Sequence, residues 1–227
     1  MANQVGIAIS GFNQASKLRA LYEANIDRHE QERLRLAREL HDETLSKLGA
    51  LTMFVQEEAA TPEFYKLHSD VINQLRAIIA NLRPKMLDFG LWSGLSQILD
   101  DLSERSNNEV EVLYDVPISN VRYPNRIEQN AYRIVQQALD NARQHANAEL
   151  IRVYGNLQQD RIHLVIEDNG EGFSLGSDTL AELLQEQRFG LAGMYERAML
   201  FQAQLQIDSV PNQGTVVTLL WNDESSF

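Results

Sequence analysis

Four clusters in this chain hold side chains whose types and spacing suit chemistry. The run Asp168-Asn-Gly-Glu-Gly-Phe173 follows an alternating apolar segment that ends at Ile166. A carboxylate at a strand end can accept a hydrogen bond from an exocyclic amino group such as that of adenine. Gly170 and Gly172, one residue apart, let the backbone approach a ligand with no Cβ between. A second run, Arg188-Phe-Gly-Leu-Ala-Gly-Met194, sets Gly190, Leu191 and Gly193 at the opening of a helix, where free N–H groups and the positive end of the dipole suit phosphate oxygens. In the third, Gln137, Asn141 and His145 are four apart and line one helix face. Asn141 offers an amide oxygen to a magnesium ion, which takes oxygen ligands and bridges nucleotide phosphates, while His145 would pack near the base. The fourth, Glu32 to Asp42, carries His41 on an otherwise apolar helix face with Asp42 beside it. That carboxylate could take a proton or fix the imidazole tautomer, leaving the other ring nitrogen exposed as a nucleophile. Each cluster also has a plainer reading: an Asn-Gly turn, an ordinary helix start, a polar helix surface and a packed core histidine.

The elements that must position these residues fall into two halves. From Leu34 a three-and-four spacing runs through Ala37, His41, Thr44, Leu48, Leu51 and Val55, predicting one amphipathic helix with a broad apolar face. Thr61-Pro-Glu63 opens a second helix that carries Phe64, Leu67, Val71, Leu75, Ile78, Ile79 and Leu82 and ends near Pro84. The apolar surface of this hairpin is wider than two helices can bury, so pairing with another copy as a four-helix bundle is expected. Further on the period changes. Strands are predicted over Glu109 to Val116, Leu150 to Leu157, Arg161 to Ile166, Leu205 to Val210 and Thr215 to Trp221. Helices are predicted over Tyr123 to Ala146 and Gly190 to Ala203, with a polar, mobile lid over Ser174 to Gln187. The fold class is α+β: a helical hairpin followed by an α/β sandwich, not a doubly wound parallel sheet.

Composition narrows the function. With 32 acidic against 20 basic residues the formal net charge is −12, which disfavours nucleic acid and anionic membrane surfaces as partners. The chain has no cysteine, so disulfides, thiolate catalysis and Cys-ligated zinc are excluded. No apolar run approaches the roughly 20 residues that span a bilayer, and the first residues do not read as a secretory signal. A soluble, cytoplasmic location with no membrane contact is the expectation.

Taken in order, the clusters resemble a family. Glu32 to Asp42 is similar to the phosphoacceptor box of the nitrate-sensor-like branch of histidine kinases. Leu82-Arg-Pro84, Leu87 and Gly90-Leu91 resemble the close of its second helix. Tyr132 to Gln136 with Ala138 to Ala142 resemble its N-box, Asp168 to Phe173 its first glycine box and Gly190 to Ala198 its second; Gly214-Thr215 stands where the family closes its nucleotide-binding sheet. The resemblance implies a GHKL (Bergerat) ATP-binding domain over 105–224 after a dimerisation and phosphotransfer domain over 29–100. It implies Mg-ATP held by Asn141, His145, Asp168, Gly170, Gly172, Gly190, Leu191, Gly193 and Thr215, with Asn141 on the metal. It further implies phosphorylation of His41 with Asp42 as base or orienter, a homodimer, and transfer to an aspartate of a response regulator. Residues 1–28 read as a signalling helix; Ala2 to Ile9 resemble the last helix of a GAF domain, with a plain amphipathic leader as the alternative.

Departures from the pattern leave a second function open. Ser46 stands where the family carries a Gln that serves dephosphorylation, Gln137 where it carries Glu, and Gln202-Ala203 where it carries Gly-Gly. Gln137 removes a possible proton acceptor, which implies a slower kinase. A nucleotide-binding pseudokinase acting as a dimeric scaffold is the alternative these departures motivate. A clamp-type GHKL ATPase is disfavoured, because it would need the Glu that position 137 lacks.

Overall fold

The computed structural model describes residues 24–26, 28–54, 61–82, 84–105, 110–174 and 189–223. Most of the expected signalling helix, the whole GAF-like segment, nearly all of the expected lid (175–187), Val55 and Arg188 lie outside the described residues. The chain divides into two compact units, Met1–Lys85 and Met86–Phe227.

In the first unit, helix α1 (residues 28–39) runs through a π-helical stretch, Leu40–Leu45, into α2 (Ser46–Phe54). Helix α3 is Pro62–Leu82. Its start is the cap expected from the sequence: the Thr61 hydroxyl accepts from the Phe64 N–H at 3.3 Å, and Pro62 takes the first helical position, where no N–H is missed. The π-helical stretch interrupts the single apolar face expected over residues 34–55. Hydrogen bonding from i to i+5 puts an extra residue in the turn and shifts the phase of everything after it. Ala37 is buried, His41 and Thr44 are exposed and Leu48 is half-buried. His68 closes the hairpin through a 2.8 Å hydrogen bond between its Nε2 and the Leu48 carbonyl. On α3 one apolar row (Phe64, His68, Ile72, Leu75, Ile79) is buried or half-buried, while Leu67, Val71 and Ile78 remain 39–65% exposed.

The second unit begins with a 3-10 turn, Lys85–Phe89, and α4 (Leu91–Arg105), followed by β1 (Glu111–Asp115) and α5 (Asn125–His145). Strands β2 (Leu150–Gln158) and β3 (Arg161–Asp168), helix α6 (Phe189–Leu200), and strands β4 (Gln204–Val210) and β5 (Gly214–Asn222) complete it. The sheet order is β1-β2-β3-β5-β4; β1 is parallel to β2 and every other pair is antiparallel. This is the expected α/β sandwich. Period-2 alternation sends Ile162, Leu164 and Ile166 of β3 to the helix side, where all are 2% exposed or less. They meet Ile134, Val135 and Ala138 of α5 and Met194 of α6 in one continuous core. Helix α4 packs on α5 and β1, and Leu91, Leu95, Leu99 and Leu102 along one stripe are at most 8% exposed. The expected boundary between 100 and 105 therefore moves to Lys85/Met86, because α4 puts its apolar stripe into the sandwich core. A buried carboxylate fixes the entry to α5: Glu128, 1% exposed, takes the Arg122 guanidinium on both oxygens (2.9 and 3.1 Å) and the Tyr123 N–H at 3.0 Å.

Candidate nucleotide site and phosphoacceptor

A cavity of about 560 Å³ opens in the second unit, lined from α5, β3, β5, α6 and the loop after β3. Asp168 forms its buried polar point. It ends β3 opposite Thr215 of β5 and is 8% exposed, and its Oδ1 accepts from the Gly170 N–H at 2.9 Å. Burial pushes the Asp168 carboxyl above the usual aspartate range, and the N–H groups of Gly170 and Thr215 only partly offset this. The loop that follows is pinned at several points. The Asn169 side-chain oxygen accepts from the N–H groups of Glu149 and Leu150 at 3.0 and 2.9 Å, and the Glu171 N–H donates to the Ala146 carbonyl at 2.7 Å. Gly172 has φ 56°, and a Cβ there would strike the Val210 carbonyl; a Cβ at Gly170 would strike that of Ala146. Both glycines are thus demanded by close backbone packing. One loop thus carries both the tight backbone turn and the N–H that meets Asp168.

Of the residues singled out in the sequence, Asn141, His145, Asp168, Gly172, Gly190, Leu191 and Thr215 line the cavity. Gly170 stands one step behind, as the N–H donor to Asp168. Gly193 does not line it, and a side chain at Gly193 would meet nothing within 4 Å. Sequence reasoning missed the apolar plates of the cavity: Ala138, Ile166, Phe173, Met194 and Val217. Two of these were within reach of periodicity, since Ile166 lies two residues before Asp168 on a strand and Met194 one turn after Gly190 on a helix. Asn169, the pin of the loop, carried no signal beyond that of a turn residue. An acceptor set between apolar plates fits a flat heterocycle with an amino edge. Among the described residues no cluster of three or more His, Asp or Glu could hold a metal. The side-chain oxygen of Asn141, which accepts from Gln137 Nε2 at 2.9 Å, is of the oxygen type that magnesium takes.

In the first unit, His41 and Asp42 are neighbours in the π-helical stretch, with the His41 Nδ1 3.1 Å from Asp42 Oδ1. The side chains are 55% and 74% exposed. In the tautomer with its proton on Nδ1, the ring donates to the carboxylate and Nε2 carries the lone pair.

Comparison with known proteins points to a family. Residues 127–225 match the family described as Histidine kinase-, DNA gyrase B-, and HSP90-like ATPase. The chain is 34% identical over 197 residues to the sensor protein VraS of Staphylococcus haemolyticus, covering 82% of this chain and 54% of that one. It is 32% identical over 212 residues to the oxygen sensor histidine kinase NreB of Staphylococcus carnosus, covering 88% and 59%. The chain is thus similar along most of its length to sensor histidine kinases, and its residues 127–225 match the ATPase domain family. It spans little more than half the length of these curated relatives. The histidine kinase fold extends to solved structures: the histidine kinase domain of the Erythrobacter litoralis EL346 blue-light activated histidine kinase superposes with a TM-score of 0.54 at 16% identity, covering 84% of this chain and 95% of that one. Among the described residues no helix is long and apolar enough to cross a membrane.

Proposed function

We propose that the chain is the kinase core of a two-component sensor: it binds Mg-ATP in the α/β unit, phosphorylates its own His41, and passes the phosphoryl group to an aspartate of a response regulator. The observation that carries this reading is the cavity in which buried Asp168, Asn141 and the Gly190 turn converge, in a chain that also holds the His41–Asp42 pair. Asp168 accepts from the adenine amino group between the apolar plates. Asn141 offers its oxygen to the magnesium, which when bound neutralises phosphate charge. The first turn of α6 meets the phosphate oxygens. When the helical unit presents His41, its Nε2 lone pair attacks the γ-phosphorus, the P–O bond to ADP breaks, and the electron pair leaves with the ADP oxygen. Asp42 holds the Nδ1 proton as positive charge develops on the ring. Catalysis in this scheme is positioning and charge neutralisation.

The chain works as a homodimer in this reading. The rows of Leu67, Val71 and Ile78 on α3, and of Leu34, Leu36 and Leu51 on α1 and α2, are more than a third exposed in one copy, and a second copy covers them as a four-helix bundle. The site acts in the cytoplasm, where ATP is available. The scaffold-only alternative is not favoured, since the relatives that match along the chain are named as sensor proteins and kinases.

Incubation with Mg-ATP, followed by mass spectrometry at neutral to alkaline pH where phosphohistidine survives, tests the reading. The expected result is one phosphoryl group at His41, lost in His41→Gln with ATP affinity retained. Label at another histidine refutes the residue assignment. No label in the unaltered chain overturns the kinase reading in favour of the scaffold.

A further inference from the structure

One row of polar side chains crosses three strands at the sheet end of the cavity. The register sets Asp168 of β3 opposite Thr215 of β5, and Thr215 opposite Ser209 of β4. Period-2 alternation puts all three on the face that carries the buried Ile166, Val217 and Ile207. Asp168 and Thr215 line the cavity, whereas Ser209 is not among its lining residues. Ser209 is half-buried, and its hydroxyl has three polar neighbours. The Phe173 N–H lies 2.9 Å from its Oγ, the Gly214 carbonyl oxygen 3.2 Å and the Thr215 Oγ1 2.9 Å. A serine hydroxyl has one proton and two lone pairs. The Phe173 N–H can only donate, so it occupies one lone pair. The Gly214 carbonyl can only accept, so it takes the proton. All three contacts are hydrogen bonds only when Thr215 donates to the second lone pair. That assignment directs the Thr215 proton at Ser209 and leaves Thr215 with lone pairs alone beside the Asp168 carboxylate.

We infer that Ser209 is a positioning residue for base recognition: by taking the Thr215 proton it turns that hydroxyl into a second acceptor for the amino group of a 6-aminopurine. The inference rests on the reading that the cavity binds an adenine nucleotide. An exocyclic amino group brings two N–H donors, and one carboxylate beside one free hydroxyl does not select for both. A free Thr215 hydroxyl could turn its proton toward the base and meet a ring nitrogen of any purine. With the proton held on Ser209, the edge formed by Asp168 and Thr215 presents acceptors only. Such an edge favours a base that carries the amino group over one that lacks it. The same Ser209 hydroxyl holds the Phe173 N–H, and Phe173 is one of the apolar plates of the cavity. One side chain behind the site thus orders a polar and an apolar wall together.

The test is calorimetry on the whole chain with ADP and with purine riboside diphosphate, which carries hydrogen in place of the amino group. Neither ligand has a γ-phosphoryl group to pass on, so binding alone is read. The unaltered chain is expected to prefer ADP. Ser209→Ala should lower that preference about three- to tenfold, the worth of one neutral hydrogen bond. Ser209→Thr keeps a hydroxyl at the same place and should retain the preference. Thr215→Val should lower it as Ser209→Ala does, and the two changes together should lower it no further. A merely structural role for Ser209 would weaken both ligands equally and leave their ratio unmoved. An unchanged ratio in either single variant, or no preference in the unaltered chain, overturns the inference while nucleotide binding stands. Should Ser209→Ala fail to fold, Thr215→Val decides by the same ratio. An unaltered chain that binds neither ligand overturns both the inference and the reading beneath it.

Discussion

The two units bury their apolar residues to very different degrees. Among the described residues of the helical unit only Ile26, Ala37 and Ile79 count as buried hydrophobics, whereas the α/β unit closes a core from Leu87 to Trp221. The helical unit carries an apolar row on the outside of α3, and the α/β unit puts the stripes of α4, α5 and α6 inward. One leaves an apolar surface exposed, which the proposed dimer would cover; the other is a closed core around a cavity. In the proposed reading the nucleophile sits on the first and the nucleotide in the second, so the part that would change partners is the part with the smaller core. Stability and reactivity are thus assigned to different units.

Large-to-small substitutions should separate the units most sharply. Leu95 of α4 has no exposed surface, and Leu95→Ala should cost about 2–5 kcal/mol of unfolding free energy through lost burial and a residual cavity. Leu67 of α3 is 65% exposed, so Leu67→Ala should leave the α/β unit's melting unchanged and shift sedimentation toward the monomer. Equal destabilisation by the two variants, in denaturant titrations of the full chain, would erase the distinction.

A smaller effect is expected inside the α/β unit, at its cavity. The Asp168 carboxyl is raised by burial, so the fold disfavours its charged form. The sign follows: the cost is present at neutral pH and disappears as pH falls through the raised value. Asp168→Asn keeps an oxygen for the Gly170 N–H and loses the charge, so the ligand-free protein should melt no lower at pH 7, and at a higher temperature if desolvation dominates. ATP binding should move the opposite way. Losing a charge-assisted bond weakens it by about 1.5–3 kcal/mol, at least tenfold. Affinity in the native chain should also fall on acidification earlier than an ordinary aspartate would allow, and Asp168→Asn should lack that limb. Calorimetry across pH that finds the same acid limb in both proteins would remove Asp168 from the base-binding role.

Periodicity exposed most of the fold and part of the site. Strands β2 to β5 and helix α5 are strongly patterned and fall within two or three residues of expectation, because each has one face in a core. Helix α4 shows why pattern is not placement: Leu91, Leu95, Leu99 and Leu102 are visibly four and three apart, but spacing names a face and not the unit that it packs into. The π-helical stretch at Leu40–Leu45 was invisible to any reading that assumes 100° per residue. In the cavity the polar residues were legible because their chemistry is rare. The apolar plates were not, since Ile166 and Met194 look like any other core residues. The Gln137–Asn141 bond needed coordinates, because spacing gave the shared face and not which amide donates.

The smallest expected effect lies at the end of α6, where the α/β unit is closed but not optimally. The helix stops in a Schellman arrangement: the Ala203 N–H reaches the Ala198 carbonyl at 2.9 Å and the Gln202 N–H the Met199 carbonyl at 3.3 Å. Gln202 occupies the left-handed position with φ 58°, where an L side chain meets the following carbonyl and glycine does not. Its side chain is exposed, so replacement removes little packing. Gln202→Gly relieves about 1 kcal/mol of backbone strain, partly offset by about 0.4–1 kcal/mol from the looser unfolded chain. The net change should be a rise of a degree or two in the melting temperature of the α/β unit, with ATP affinity and the oligomeric state unaltered. Gln202→Ala separates the terms, since it keeps the strain and removes only the long side chain, so it should gain nothing. A Gln202→Gly protein that melts clearly lower would mean that the Gln202 side chain supports the α6 turn through packing, and that this corner of the α/β unit is better finished than its backbone suggests.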